Sequence, residues 1–344
     1  MTKRIFCKVL LVVVAVFSLL ALSSILLAQG RSEDAFERVR EVQERHTDRL
    51  MAIEGVVGTA VGLDENDQPV VKVFTARPVV AGIPRTLDTV PVQVEVTGEF
   101  YALPKPEGKP GGGTKIDPTA RLPRPVPIGV STGNANECSA GTIGCRVKDA
   151  AENVYALSNN HVYALENNAL TDSEVLQPGL YDTGCNYDPD NVIGTLDAFV
   201  PIVFSTGASN TIDAAIALSS TANLGKGTPS NGYGVPKSTP VGAYLKQAVQ
   251  KYGRTTSLTK GTISAINANL NIGYGSGTAY FVNQIVVYSR RSFIKAGDSG
   301  SLLVTDPGKN PVGLLFAGTS SGQYAIANPI GPVLDAFDVS VDGE

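Results

Sequence analysis

Apolar positions along the chain fall into three regimes. The first is an unbroken run over residues 9–28, "VLLVVVAVFSLLALSSILLA", flanked by Lys3, Arg4 and Lys8. The second begins at residue 34, where Phe36, Val39, Val42, His46, Leu50 and Ile53 recur at helical spacing and predict one amphipathic helix over 34–54. After it, "GVVGTAVGL" and "PVVKVFTA" read as two strands around the polar turn "DENDQ", and "VPVQVEVTGEFYAL" predicts another pair. The third regime starts near Ile128. There short apolar or alternating runs ("GTIGCRVK", "NVYALSN", "NVIGTLDAFV", "IDAAIAL", "GTISAI", "GTAYFVNQIVVYS", "SLLVT", "PVGLLFAG", "QYAIANP") recur between turns with no long helical period. That pattern predicts antiparallel sheets packed as a sandwich or barrel pair and excludes alternating βαβ units. "NPIGPVLDAFDV" predicts one closing helix.

The boundaries follow from these shifts. Residues 1–28 form an export signal, with "LLAQG" offering cleavage after Ala28, or an uncleaved membrane anchor. Residues 29–103 form a small α/β unit, and residues 104–124 a linker dense in Pro and Gly. Residues 125–344 form a mainly β domain. Either reading of residues 1–28 places the bulk of the protein outside the cytoplasm, secreted or held at a membrane.

Composition narrows the class. With 36 glycines, 21 prolines, 43% apolar and 17% charged residues among 344, the chain is globular and β-rich, neither disordered nor a helical bundle. The net charge of -4 becomes -7 once Lys3, Arg4 and Lys8 are removed, and no basic cluster remains, which excludes nucleic acid as a partner. Three cysteines survive export. Cys138 and Cys145 flank "SAGTIG", a tight hairpin, and are the favoured disulfide pair; Cys185 is then the odd one. No histidine lies near it to make a zinc site.

The candidate chemistry begins at Ser299 in "KAGDSGSLLV". A nucleophilic serine needs a base, a group that orients the base, and donors for an oxyanion. Only two histidines exist. His46 lies on the N-terminal helix, where a neutral, partly buried ring suffices. His161, after the short strand in "VYALSNNHVYAL", is the one histidine in the block that carries Ser299. No histidine follows Ser299 and position 301 is serine, so the order of an α/β-hydrolase fails. The order His, Asp, Ser on paired β-barrels remains. Asp213 in "NTIDAAIALS" is a single carboxylate inside an apolar run, and a buried carboxylate needs a donor such as an imidazole N–H. Asp197 is its best rival. Asp182, Asp188 and Asp190 sit in a polar turn, "YDTGCNYDPDN", where turn formation explains them better than a calcium site does.

With these residues in place, the region 125–344 resembles the chymotrypsin-like (trypsin-fold) serine proteases, bacterial members in particular. "ALSNNHV" resembles their histidine block, "DAAIAL" their aspartate block and "GDSGS" their serine block. "VQKYGRTTSLTKGTI" resembles the hairpin that opens the second barrel, and "VGLLFAG" with "YAIANPI" the walls of the specificity pocket. The resemblance implies two antiparallel six-stranded β-barrels and a serine endopeptidase acting on polypeptides through an acyl-enzyme. It implies Ser299 as nucleophile, His161 as general base, Asp213 as its orienting carboxylate, and the backbone N–H groups of Gly297 and Ser299 as the oxyanion hole. No cofactor and no metal is implied. A retired protease fold used as an extracellular binding module is the alternative.

Several positions depart from the family. Asn159 and Asn160 stand where small residues are usual, and buried amides need partners. Ser257 replaces a glycine in a turn. Phe293 falls at the position where trypsin-like members carry an acid, so with Ile294 and "FAG" (316–318) it implies a preference for apolar or small side chains. The N-terminal unit is either a pro-region in contact with the protease cleft, with Arg121 and Arg124 as cutting points, or a permanent extra domain.

Overall fold

The computed structural model describes residues 34–102 and 116–344. The apolar run at 9–28 and most of the linker lie outside the described residues. Among those described, no helix is long and apolar enough to cross a membrane.

The N-terminal unit follows from its periodicities. Helix α1 (34–51) lays Val39, Val42 and Leu50 on Val61, Val71 and Val73 of two antiparallel strands, β1 (Val56–Leu63) and β2 (Pro69–Thr75). The turn between them is closed by Asp64, whose Oδ1 accepts the backbone N–H groups of Asn66 and Gln68, both at 2.8 Å. β3 (Thr86–Leu87) pairs with β4 (Val90–Val96), which runs parallel to β2. The expected second pair within "VPVQVEVTGEFYAL" does not form. β5 (Phe100–Tyr101) leaves the unit and pairs with two strands of the main body. The cause is burial: Phe100 is 1% exposed, packed edge-on against Phe74 in one cluster with Phe281 and Phe316.

The main body holds two sheets. The first runs β20 (Ser340–Val341), β8 (Cys145–Lys148), β9 (Val154–Ser158), β13 (Ala215–Ser219), β11 (Val192–Phe199), β10 (Glu174–Leu176), β6 (Ser131–Asn134), β7 (Gly141–Thr142), with every pairing antiparallel. The second contains β14 (Ala248–Gly253), β15 (Ser257–Tyr274), β16 (Gly277–Tyr288), β17 (Leu302–Thr305), β18 (Pro311–Gly318) and β19 (Tyr324–Pro329). Its pairings run β14–β15–β16–β19–β18–β17 and back to β14, a closed ring. The two-residue stub β12 (Ser209–Asn210) adds to β16, and β1 adds to β15 with Gly58 opposite Leu270. The mainly β class is as expected, and the closed ring of the second sheet has six strands. The first is an open path of eight strands, and the second is extended by the N-terminal unit into one sheet of twelve. Ser257, with φ of +52°, opens β15 in the left-handed region and alters only that turn.

Leu302, Val304 and Leu314 of the second sheet pack into the same cluster as Ile143, Leu157 and Val162 of the first, so the two sheets share a core at their junction. Each such side chain contributes about 1.5–3 kcal/mol by leaving water. The disulfide joins Cys138 to Cys185, with Cα atoms 5.2 Å apart, and not Cys138 to Cys145. Strand pairing explains the difference. Cys145 opens β8 and faces the core, fully buried, and that burial pushes its thiol up to about 12. Closing the longer loop, over a sequence separation of 47, stabilises by about 4 kcal/mol on the chain-entropy model.

Candidate active site

β9 is apolar and fully buried, and it ends at a single-turn helix, α2 (Asn160–Tyr163), that presents His161. The register of the neighbouring strand sets its partner. Ala215 of β13 lies opposite Ser158 of β9, so Asp213 falls beside the start of α2. Its Oδ2 accepts from His161 Nδ1 at 2.6 Å and its Oδ1 from the His161 backbone N–H at 3.2 Å. The carboxylate is wholly buried and the imidazole 7% exposed. A carboxylate can only accept, so Nδ1 carries a proton, and in the neutral ring that tautomer leaves the lone pair on Nε2.

The two asparagines before the histidine find partners for their amide nitrogens, while Asn159 Oδ1 is buried without one. Asn159 Nδ2 donates to the Asp213 carbonyl at 2.7 Å, while Asn328 Oδ1 accepts the Asp213 N–H at 3.0 Å. Asn160 exchanges hydrogen bonds with Asn167 and donates to the Val200 carbonyl. Their amides therefore fix the backbone on both sides of the imidazole–carboxylate pair.

Ser299 sits in the loop before β17, on the second sheet. The loop is built around Asp298, which is wholly buried. Its Oδ1 accepts the N–H groups of Thr255 and Thr256, and its Oδ2 accepts Thr256 Oγ1 and the Lys295 N–H. Lys251 Nζ lies 3.4 Å from Oδ2, and burial, opposed by the Asp298 charge, holds the ammonium below the ordinary lysine range. Gly297 and Gly300 both adopt φ of +92°. A Cβ at Gly300 would stand 2.2 Å from Ser158 Oγ and 2.3 Å from the Thr142 carbonyl, so the turn after the serine admits no side chain. Thr142 ties the loop to the first sheet: its N–H donates to the Ser299 carbonyl at 2.8 Å and its Oγ1 to the Gly297 carbonyl at 2.8 Å.

The histidine and serine segments thus abut. Ser158 lies against Gly300, and Gly141 has Val162 on one side and the Ser299 carbonyl on the other. The structure joins His161 to Asp213 directly; it does not join His161 to Ser299. His161 Nε2 and Ser299 Oγ are both buried without a hydrogen-bond partner. Among the described residues the N–H groups of Gly297 and Ser299 likewise donate to no protein acceptor. An oxyanion, where one forms, is stabilised by unengaged donors of this kind.

The other candidates are placed elsewhere. Asp197 is exposed on β11. Asp182 is not a solvated turn residue: it is buried against Arg254 and accepts Ser131 Oγ at 2.6 Å. Asp188 and Asp190 face Arg121, so the three acids do not converge. His46 is 19% exposed and meets Asp88 at 3.0 Å. Of the two linker arginines, Arg121 is half exposed beside Asp188 and Asp190, and Arg124 donates to the carbonyls of Asp190 and Val192. Phe293 and Ile294 are fully buried with Val249, Ile263 and Leu303, as core beneath the serine loop. Sequence reasoning missed Tyr274, whose hydroxyl donates to Asp213 Oδ2 at 3.0 Å, and Glu166, which accepts the N–H groups of Gly275 and Ser276. Nothing local marks either one, since both act across loops far apart along the chain.

Residues 183–339 match the family described as the Nal1 C-terminal domain. Glutamyl endopeptidase 2 of Streptomyces griseus is 31% identical over 112 residues, 30% of this chain and 52% of that protein. The chain therefore spans about half the length of that curated relative. Among solved structures, a glutamic acid-specific serine protease described as using a histidine triad in substrate binding is 22% identical. It covers 63% of this chain and 100% of its own, with a TM-score of 0.45. Thermobifida fusca protease A is 20% identical, covering 64% and 99%, with a TM-score of 0.46. In its order of blocks, its mainly β body and its curated relative, the chain resembles the bacterial chymotrypsin-like serine proteases.

Proposed function

We propose that the chain is a serine endopeptidase that cleaves polypeptides through His161, Asp213 and Ser299. The observation that carries the reading is the buried Asp213–His161 pair at 2.6 Å, set against a serine loop whose two N–H donors are unengaged. Ser299 Oγ attacks the carbonyl carbon of a peptide bond while His161 Nε2 takes its proton. The oxyanion forms at the N–H groups of Gly297 and Ser299, each worth about 2.7–4 kcal/mol in measured cases. The tetrahedral intermediate collapses as imidazolium returns the proton to the leaving amine, giving an acyl-enzyme. Water, deprotonated by the same imidazole, then releases the acid. The two sheets play the part of the two barrels, with the catalytic groups at their junction.

The N-terminal unit acts as a pro-region in this reading. β5 lies between β15 and β18, beside Gly318, and both catalytic atoms are buried, which suits a closed precursor. Cleavage within the linker would open it.

Specificity rests on Phe293, which stands where trypsin-like members carry an acid and here is buried in the core beneath the serine loop, so no carboxylate at that position awaits Lys or Arg. His161 serves the triad and His46 lies on α1, so no histidine remains to receive an acidic side chain. Cleavage of a peptide library by the processed chain is expected after apolar or small residues and lost in Ser299→Ala. Cleavage after Lys or Arg would overturn the specificity, and persistence in Ser299→Ala would overturn the mechanism.

A further inference from the structure

Resting on that reading, we infer that Tyr274 is a positioning residue for the catalytic pair: it holds the Asp213 carboxylate in the orientation that the imidazole needs. Asp213 Oδ2 has two donors, His161 Nδ1–H at 2.6 Å and the Tyr274 hydroxyl at 3.0 Å. The other two donors to the carboxylate, the Nδ1–H and the backbone N–H of His161, both belong to the histidine itself, so the Tyr274 hydroxyl is the donor that fixes its last torsion from outside the pair.

Tyr274 is itself fixed. Its ring meets that of His161 edge-on at 5.9 Å, meets Phe204 at 5.5 Å and stacks on Phe281 at 6.1 Å. Burial, followed by the Asp213 charge, raises its phenol well above the ordinary range, so the hydroxyl remains a donor wherever the enzyme would work. The hairpin tip that bears it is clamped from the histidine side. Glu166 accepts the Gly275 N–H at 3.0 Å and the Ser276 N–H at 2.7 Å. Glu166 reaches them from a turn of three successive left-handed residues, Leu165, Glu166 and Asn167, with φ of 53°, 55° and 75°. Non-glycine residues rarely adopt that conformation, and a run of three is retained only where surrounding contacts determine it. The Asn160–Asn167 amide pair supplies those contacts. One polypeptide stretch, 160–167, therefore carries the base and also grips the hairpin that steadies its carboxylate.

Tyr274→Phe keeps the ring and removes only the donor. In the processed chain it is expected to lower kcat about tenfold with KM unchanged, the size typical of a hydrogen bond to a charged group. Nitrogen-15 correlation spectra of the histidine rings give a second readout that needs no activity. His161 is assigned with His46→Gln, and its Nδ1 resonance is expected to move in Tyr274→Phe. Glu166→Ala, which frees the hairpin and spares the ring, is expected to move it the same way with a smaller loss of kcat. Unchanged kcat, or a loss of kcat with the Nδ1 resonance fixed in both variants, would overturn the positioning role. A moved resonance in a protein that never cleaves peptides would uphold Tyr274 and sink the peptidase reading instead.

Discussion

Gly300 shows how little freedom a single position in the serine loop has. Its φ of +92° and the approach of Ser158 Oγ and the Thr142 carbonyl act together. A methyl group there meets a flexible hydroxyl, which can turn away, and a backbone oxygen, which cannot. Gly300→Ala is therefore expected to cost about 2–4 kcal/mol, combining backbone strain with overpacking. Calorimetry would read this as a melting temperature lower by several degrees, and adding Ser158→Ala should restore little of it. A melting point within one degree of wild type would mean that the loop is looser than described. The same scale explains why His161 and Ser299 could be singled out from the sequence as candidates, whereas Tyr274 could not. A lone histidine, a carboxylate in an apolar run and "GDSGS" are local signals. Tyr274 is one of 12 tyrosines, and only the hairpin's three-dimensional course brings it to Asp213.

At the scale of elements, register does what spacing alone could not. The β9–β13 pairing puts Asp213 beside α2, and the β1–β15 pairing carries the N-terminal unit onto the second sheet. Most strands after residue 128 were legible because each is a short apolar run bounded by turn residues. The failures have the opposite character: β5 and the Cys138–Cys185 bridge depend on partners remote in sequence. The closing strand β20 is another such element, pinned to β8 by Asp342, which meets Arg146 Nη2 at 2.7 Å and Lys226 Nζ at 2.6 Å. Burial raises the Asp342 carboxyl, but the hydrogen bonds and charges of Lys226 and Arg146 outweigh it and leave it below the ordinary carboxylate range. A lowered carboxylate contributes stability above its unfolded value and loses it as pH falls through the folded one. Asp342→Asn should thus destabilise by about 2 kcal/mol at neutral pH, with the gap from wild type closing below about pH 4. Urea titrations at pH 7 and pH 3 check this, and a gap that stays constant would remove Asp342 from the ledger of acid sensitivity.

At the scale of the whole molecule, the proposed catalytic parts belong to different sheets. His161 and Asp213 stand on the first sheet and Ser299 on the second, and Thr142 with the shared apolar cluster fixes one against the other. The N-terminal unit completes the picture because its last described strand inserts between β15 and β18, close to the hairpin that carries Tyr274. The most direct measurement is the intact mass of the chain after exposure to a fluorophosphonate, before and after cleavage in the linker. A single adduct on Ser299 is expected, faster after cleavage and absent in Ser299→Ala. No adduct in either form, or one that survives Ser299→Ala, would contradict the account.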